Sequence, residues 1–216
     1  MSIETFLIWS RFGRLRSWEQ TSVKSIRKGR NVPTVLGYHG CHRDFADGVR
    51  TGSIGPGDWK PSQNVYDWLG EGIYFWEGSR TRAHEWAVEQ FHEQADVLEA
   101  EIDLEGALNL LENTYHEPLR ATFRNLRTVY GSLGWELPRN RKKRHDLDWL
   151  VINKFVKFME RVSGQHGIAF RSVRGVFEEG RPRYPGSALR SQAHIQIALR
   201  DIRSMRIRTA PTGGKP

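Results

Sequence analysis

The chemistry-bearing residues of this 216-residue chain concentrate in two glycine-rich stretches. One is Gly37-Tyr38-His39-Gly40. The other is Tyr66-Asp67-Trp68-Leu69-Gly70-Glu71-Gly72-Ile73-Tyr74-Phe75-Trp76-Glu77. Glycines around a strand that carries His, Tyr and Trp permit close backbone approach by something flat. The His39-Gly40 pair at a strand end offers an imidazole donor beside an exposed backbone amide edge. Tyr74 on a neighbouring strand offers a platform on which a heterocycle stacks. Phe75 and Trp76 read equally well as core. Other catalytic patterns are missing: there is no G-x-S-x-G elbow, no G-x-x-x-x-G-K-[ST] phosphate loop and no H-E-x-x-H zinc helix. The eight histidines lack ligand spacing, and the single Cys41 permits neither an internal disulfide nor a cysteine-built zinc site. No metal is expected.

The elements that must position these residues follow from pattern. Thr34 to His39 reads as a buried strand between Pro33 and Gly40, and Gly72 to Trp76 as a second. Residues 42–70, punctuated by Gly48, Gly52, Gly55, Pro56, Gly57 and Pro61, read as loop. Ser79 is placed to cap a helix running to about Asp96, with Ala83, Trp86, Ala87 and Phe91 facing inward. A half-buried strand is expected over 97–104, two helical stretches over 105–133, and an apolar helix from Leu147 to Val162. Three further strands are expected at Arg171–Glu178, His194–Arg200 and Met205–Arg208, with a Gly-, Pro- and Arg-rich loop from Glu179 to Gln192. Strands scattered among helices, without βαβ alternation, argue for an α+β domain over 34–216 behind a basic, partly helical arm over 1–33.

Composition narrows the class. With 38% hydrophobic residues, eight Trp, six Tyr and ten Phe, the chain has ample apolar area to fold. Its longest apolar run near the N-terminus, Phe6 to Trp9, is far short of the ~20 residues a bilayer span needs. Arginines follow that run instead of preceding it, unlike a signal peptide, so a cytoplasmic, membrane-free setting is expected. Net charge is +8 and unevenly spread. Residues 1–33 hold seven Lys and Arg against two acids, residues 34–138 eight against seventeen, and residues 139–216 eighteen against six. Such a distribution suits a polyanion or an acidic protein partner. The cluster Arg139, Arg141, Lys142, Lys143, Arg144 reads equally as a solvated loop.

Taken in order, His39-Gly40 and Gly70-x-Gly72-Ile73-Tyr74-Phe75 resemble the NAD-binding half of the ADP-ribosyltransferase superfamily, in its diphtheria-toxin and poly(ADP-ribose) polymerase branch with a His-Tyr-Glu signature. The chain also resembles a group of bacterial proteins carrying Y-H-G-C (Tyr38 to Cys41), S-x-N-x-Y-D-W-L-G-x-G-I-Y-F-W-E (Ser62 to Glu77), R-G-x-F-x-E-G (Arg174 to Gly180) and H-I-Q-I (His194 to Ile197). That likeness covers about residues 34–208. It implies a split β-sheet core with flanking helices.

The resemblance assigns roles residue by residue. His39 would donate to the 2′-hydroxyl of the adenosine ribose of NAD, Gly40 would bind the nicotinamide carboxamide through its backbone, and Tyr74 would stack on the nicotinamide ring. Trp86 would close the other face of the ring or pack in the core. Ser62 and Asn64 would meet ribose or phosphate, or serve their own turn. At the third signature position Gln196 stands where glutamate is expected, two residues after His194 on one face of a strand. A neutral amide hydrogen-bonds ribose hydroxyls but neither stabilises an oxocarbenium ion by charge nor takes a proton. Glu77, Glu71 or Glu178 would then serve as an alternative carboxylate, the acceptor would need little activation, or turnover would be lost; transfer of a single ADP-ribose unit is expected over chain extension.

By this likeness the expected activity is NAD-dependent mono-ADP-ribosylation of RNA or DNA, less readily of protein, in a toxin–antitoxin or phage-defence setting with an acidic antitoxin as partner. NAD is the co-substrate. An NAD-using RNA 2′-phosphotransferase and a non-catalytic NAD-binding module are the alternatives.

Overall fold

The computed structural model describes residues 33–62, 64, 66–141, 144–163 and 170–208. Apart from Pro33, the basic arm lies outside them, as do Lys142 and Lys143. Among the described residues the fold is α+β, with four helices and a seven-stranded mixed sheet curled into a half-barrel. The chain gathers into two compact units.

The sheet unit comprises Val32–Ser62, Gly72–Leu111 and Arg171–Pro216. Its strands are β1 (Thr34–His42), β2 (Ile73–Glu77), β3 (Ala95–Asp103), β4 (Ala107–Asn109), β5 (Ser172–Phe177), β6 (His194–Leu199) and β7 (Met205–Ile207). They lie in the order β4-β5-β6-β2-β1-β3-β7, antiparallel throughout except for β4 beside β5. Helix α1 (Arg43–Thr51) follows β1 directly, in a stretch where sequence alone predicts loop. His42 caps it by accepting from the Asp44 N–H, and Gly52, at φ 79°, ends it with an N–H to the Val49 carbonyl. The glycines that read as turns sit inside and just beyond this helix.

Helix α2 (Arg80–Phe91) begins where Ser79 predicts, the serine oxygen accepting from the Arg82 N–H at 3.4 Å. It stops five residues short of Asp96, because His92 takes φ 51° and turns the chain into β3. Of its inward-reading residues, Ala83 and Ala87 are fully buried, while Trp86 and Phe91 are half-buried.

Side chains alternate across the sheet, so each face has its own core. One face buries Cys41, Trp59, Ile73, Phe75, Leu98, Ala100, Ile102, Ile197 and Leu199. The other packs Trp76 and Val97 under α2, through Ala83, with Tyr38 and Trp86 alongside.

The second unit comprises Gln63–Glu71 and Glu112–Phe170. Its helices are α3 (His116–Ser132) and α4 (Asp146–Ser163), so one long helix stands where two stretches are predicted. Asn140 caps α4 by accepting from the N–H groups of Leu147 and Asp148. The rings of Tyr115, Phe155 and Phe170 meet edge-on or tilted in its core. No helix among the described residues is long and apolar enough to cross a membrane.

Candidate functional site

The site forms where β1 parts from β2. β1 stays in register with β3 through nine pairs, from Thr34↔Asp103 to His42↔Ala95. With β2 it pairs only at Gly37↔Glu77 and Tyr38↔Trp76. Beyond Tyr38 this second ladder stops, and His39 and Gly40 continue along a β1 edge no longer laddered to β2. On the same side of β2, Gly72 instead bridges to Ser62, whose N–H donates to the Gly72 carbonyl at 2.8 Å.

His39 spans the parting. Its Nδ1 lies 2.8 Å from the Tyr74 carbonyl oxygen. A carbonyl only accepts, so Nδ1 carries the hydrogen. The imidazole sits among Phe45, Trp59 and Phe75, with ring centroids at 6.3, 5.2 and 5.4 Å. This desolvation pushes its pKa below the ordinary histidine value, against the opposing pull of the Tyr74 hydrogen bond. Neutral His39 therefore presents Nε2 as an acceptor. Toward a ribose hydroxyl it would accept, the reverse of the donor role expected from sequence.

Gly40 has a structural reason to lack a side chain. A Cβ there would lie 2.5 Å from the Ala83 carbonyl oxygen and 3.1 Å from the Trp86 ring, so α2 rests directly on the glycine. Trp86 packs on Trp76 at 5.6 Å and on Phe91 at 6.0 Å, the arrangement its core reading anticipates.

Register decides which candidates meet. Phe75 pairs with Ile197 and Trp76 with Gln196, while Tyr74 pairs with Ala198. Tyr74 and Gln196 are thus diagonal neighbours on one face, within reach of long side chains. His194 lies two residues from Gln196 on that face, its ring 6.3 Å from Trp76 and 5.6 Å from Phe177. His39 projects from the opposite face, with Phe75. The structure therefore sets Tyr74, Gln196 and His194 on one face, with His194 farther along beside Trp76, and it connects His39 to Tyr74 through the Tyr74 backbone instead of side chain to side chain.

The alternative carboxylates are dispersed. Glu77 pairs with Arg174 through two contacts of 2.6 and 2.7 Å, on the face away from Gln196. Glu71 belongs to the helical unit, where Lys157 holds it at 3.2 Å. Glu178 is exposed just past β5. Asn64 also belongs to the helical unit; its N–H donates to the Asp67 carboxylate at 2.6 Å, which is turn chemistry.

Around His194 the structure assembles groups the sequence did not connect. Its Nδ1 donates to the Gln192 carbonyl at 2.7 Å, and its Nε2 is buried without a partner. Trp76 Nε1 and Arg82 Nε are buried and unpartnered as well. Arg82 reaches Glu85 and, at 3.1 Å, Glu179. Burial holds the His194 pKa low, and the Arg82 charge adds to the effect. Arg82 and Glu179 stand 97 residues apart in the chain, and no sequence spacing signals their meeting.

Burial raises the Cys41 thiol to about 12, which leaves it protonated and unreactive. No cluster of three or more His, Cys, Asp and Glu side chains suited to a metal ion occurs among the described residues. Compared with models of known families, with curated proteins and with solved structures, the chain matches none.

Proposed function

We propose that the chain is an NAD-dependent mono-ADP-ribosyltransferase whose curled sheet is the split sheet of that superfamily. The observation that carries the reading is the parting of β1 from β2 beyond Tyr38, bridged by the His39 to Tyr74 carbonyl bond. A nicotinamide carboxamide pairs well with such a backbone edge, because it carries one donor group and one acceptor as a strand residue does. Tyr74 and Gln196 on a shared face would then flank the nicotinamide ribose.

Chemistry at this site begins with a leaving group that is already cationic. The bond from nicotinamide N1 to the ribose anomeric carbon breaks, and its electron pair neutralises the pyridinium. A lone pair of the acceptor oxygen or nitrogen forms the new bond, and the acceptor's proton passes to solvent or a nearby base. The protein's part is to hold the ring and stabilise the cationic ribose in the transition state. Gln196 contributes an amide dipole and no charge, which favours a single transfer over chain extension.

Incubating the protein with labelled NAD alone, with total RNA, with DNA and with cell lysate tests this reading. Label on nucleic acid or on protein supports transfer and identifies the acceptor. Transfer is expected to disappear in Tyr74→Ala and His39→Gln, with thermal unfolding showing that both remain folded. Nicotinamide release without labelled polymer, or binding without consumption, replaces the transferase with a hydrolase or an NAD-binding module. Absence of any NAD binding removes the proposal.

A further inference from the structure

The loop between β5 and β6 is an ordered hairpin. At its base the Gln192 N–H donates to the Glu179 carbonyl, and the Ser191 N–H to that of Arg181. Pro182 bridges to Arg190, and the Arg183 N–H donates to the Leu189 carbonyl at 2.9 Å. A Tyr184–Ser187 turn closes the tip, with Gly186 at φ 80°. Arg181, Arg183 and Arg190 are exposed, and none makes an ion pair among the described residues. From Arg181 to His194 there is no acidic residue. Tyr184 and Leu189 are each 61% exposed. The hairpin leads directly into His194 and Gln196 on β6.

We propose that this hairpin binds single-stranded nucleic acid and presents it to the site. Binding itself stands independently of the transferase reading; the role as acceptor rests on it. Guanidinium groups pair with phosphate bidentately. Arg181 and Arg183, two residues apart, are about 6.6 Å apart along an extended backbone, which suits two phosphates of one strand. An aromatic ring exposed at a turn has no core role to explain it and stacks on any base that is not already paired. A single strand engages both kinds of group at once, its phosphates on the arginines and a base on Tyr184. Backbone hydrogen bonds across the hairpin fix the main chain that carries these side chains, which lowers the ordering cost on binding.

Fluorescence anisotropy with labelled 20-nucleotide oligouridylate, oligothymidylate and a duplex of the same length, without NAD and across a salt series, tests the proposal. Both single strands are expected to bind more tightly than the duplex. Tyr184→Ala is expected to weaken binding about tenfold, and Tyr184→Phe to retain it. The triple variant Arg181→Ala, Arg183→Ala, Arg190→Ala is expected to reduce the slope of log affinity against log salt by about 2, from roughly 0.7 per phosphate contact. All four positions are exposed, so these variants are expected to unfold at the wild-type temperature. The inference is overturned if single strands fail to bind, if the triple variant binds as the wild type does, or if duplex binds equally well and Tyr184→Ala is silent. Oligonucleotide binding by a chain that consumes no NAD would refute the transferase reading, and the acceptor role with it, and leave the binding standing.

Discussion

Substituting Gly40 tests the placement of α2 on β1, and the geometry fixes how large the effect is. An alanine Cβ would sit 2.5 Å from the Ala83 carbonyl oxygen, where ordinary contact begins near 3.4 Å. Neither neighbour moves freely. The oxygen belongs to helix backbone, and β1 is tied to β3 through nine register pairs. Overpacking of this kind costs about 1–3 kcal/mol, and the reduced freedom of the unfolded chain returns about 0.4–1 kcal/mol. A net loss of about 1–2 kcal/mol lowers the melting temperature of a chain this size by about 2–8 °C. Gly37→Ala provides a graded comparison. Its nearest obstacle, at 2.4 Å, is the terminal carbon of Ile102, which can rotate, so a smaller loss is expected. Gly57→Ala meets nothing within 4 Å and is expected to be close to neutral. Thermal unfolding of the three variants by circular dichroism gives the order directly. If Gly40→Ala melts with the wild type or with Gly57→Ala, α2 does not rest on Gly40.

Three other outcomes follow from the same contacts. Arg174→Met leaves the mostly buried Glu77 carboxylate without its bidentate partner, and about 3 kcal/mol of stability is expected to be lost; a denaturation midpoint that does not shift would show the pair to be marginal. His39 and His194 are both held below the ordinary histidine value by burial, so the unfolded chain takes up protons first. Stability is therefore complete above about pH 6.5 and declines as pH falls below it, and replacing both histidines with glutamine is expected to flatten melting temperatures measured between pH 5 and 7.5. Asp201, ion-paired with Arg203 and Arg171 and lowered to about 2, contributes stability that is present above the ordinary carboxylate value and is lost as pH falls through 2; Asp201→Asn is expected to lower the melting temperature at pH 7 and to have a diminishing effect as pH falls below that ordinary value.

Much of the architecture was legible because it is local. The bounded apolar run of β1, the alternation in β3, the Ser79 cap and the apolar run in α4 are short-range patterns, and each element lies within a few residues of its expected place. Where local signals conflict the reading failed. Gly48 reads as a turn residue but sits within α1, because it packs against Ile54 where a Cβ would not fit, whereas Gly52 does turn the chain at the helix end with φ 79°. Two helical stretches became one strand and one helix for a similar reason: β4 is only three residues long and exists through its pairing with β5.

By itself the chain's chemistry determined which residue types stand beside glycine, which strand carries His39 and which carries Tyr74, and that Gln196 and His194 share a face. Alternation along a strand has period two and needs no partner to be known. Tertiary structure alone decided the register between strands. It placed the His39 ring on the face opposite Tyr74, tied Glu77 to Arg174, and brought Arg82 and Glu179 to His194. A shift of one residue in pairing exchanges the faces of an entire strand. That choice rests on the summed packing of Trp59, Phe75 and Ile102 against their neighbours, contacts that no spacing within the sequence records.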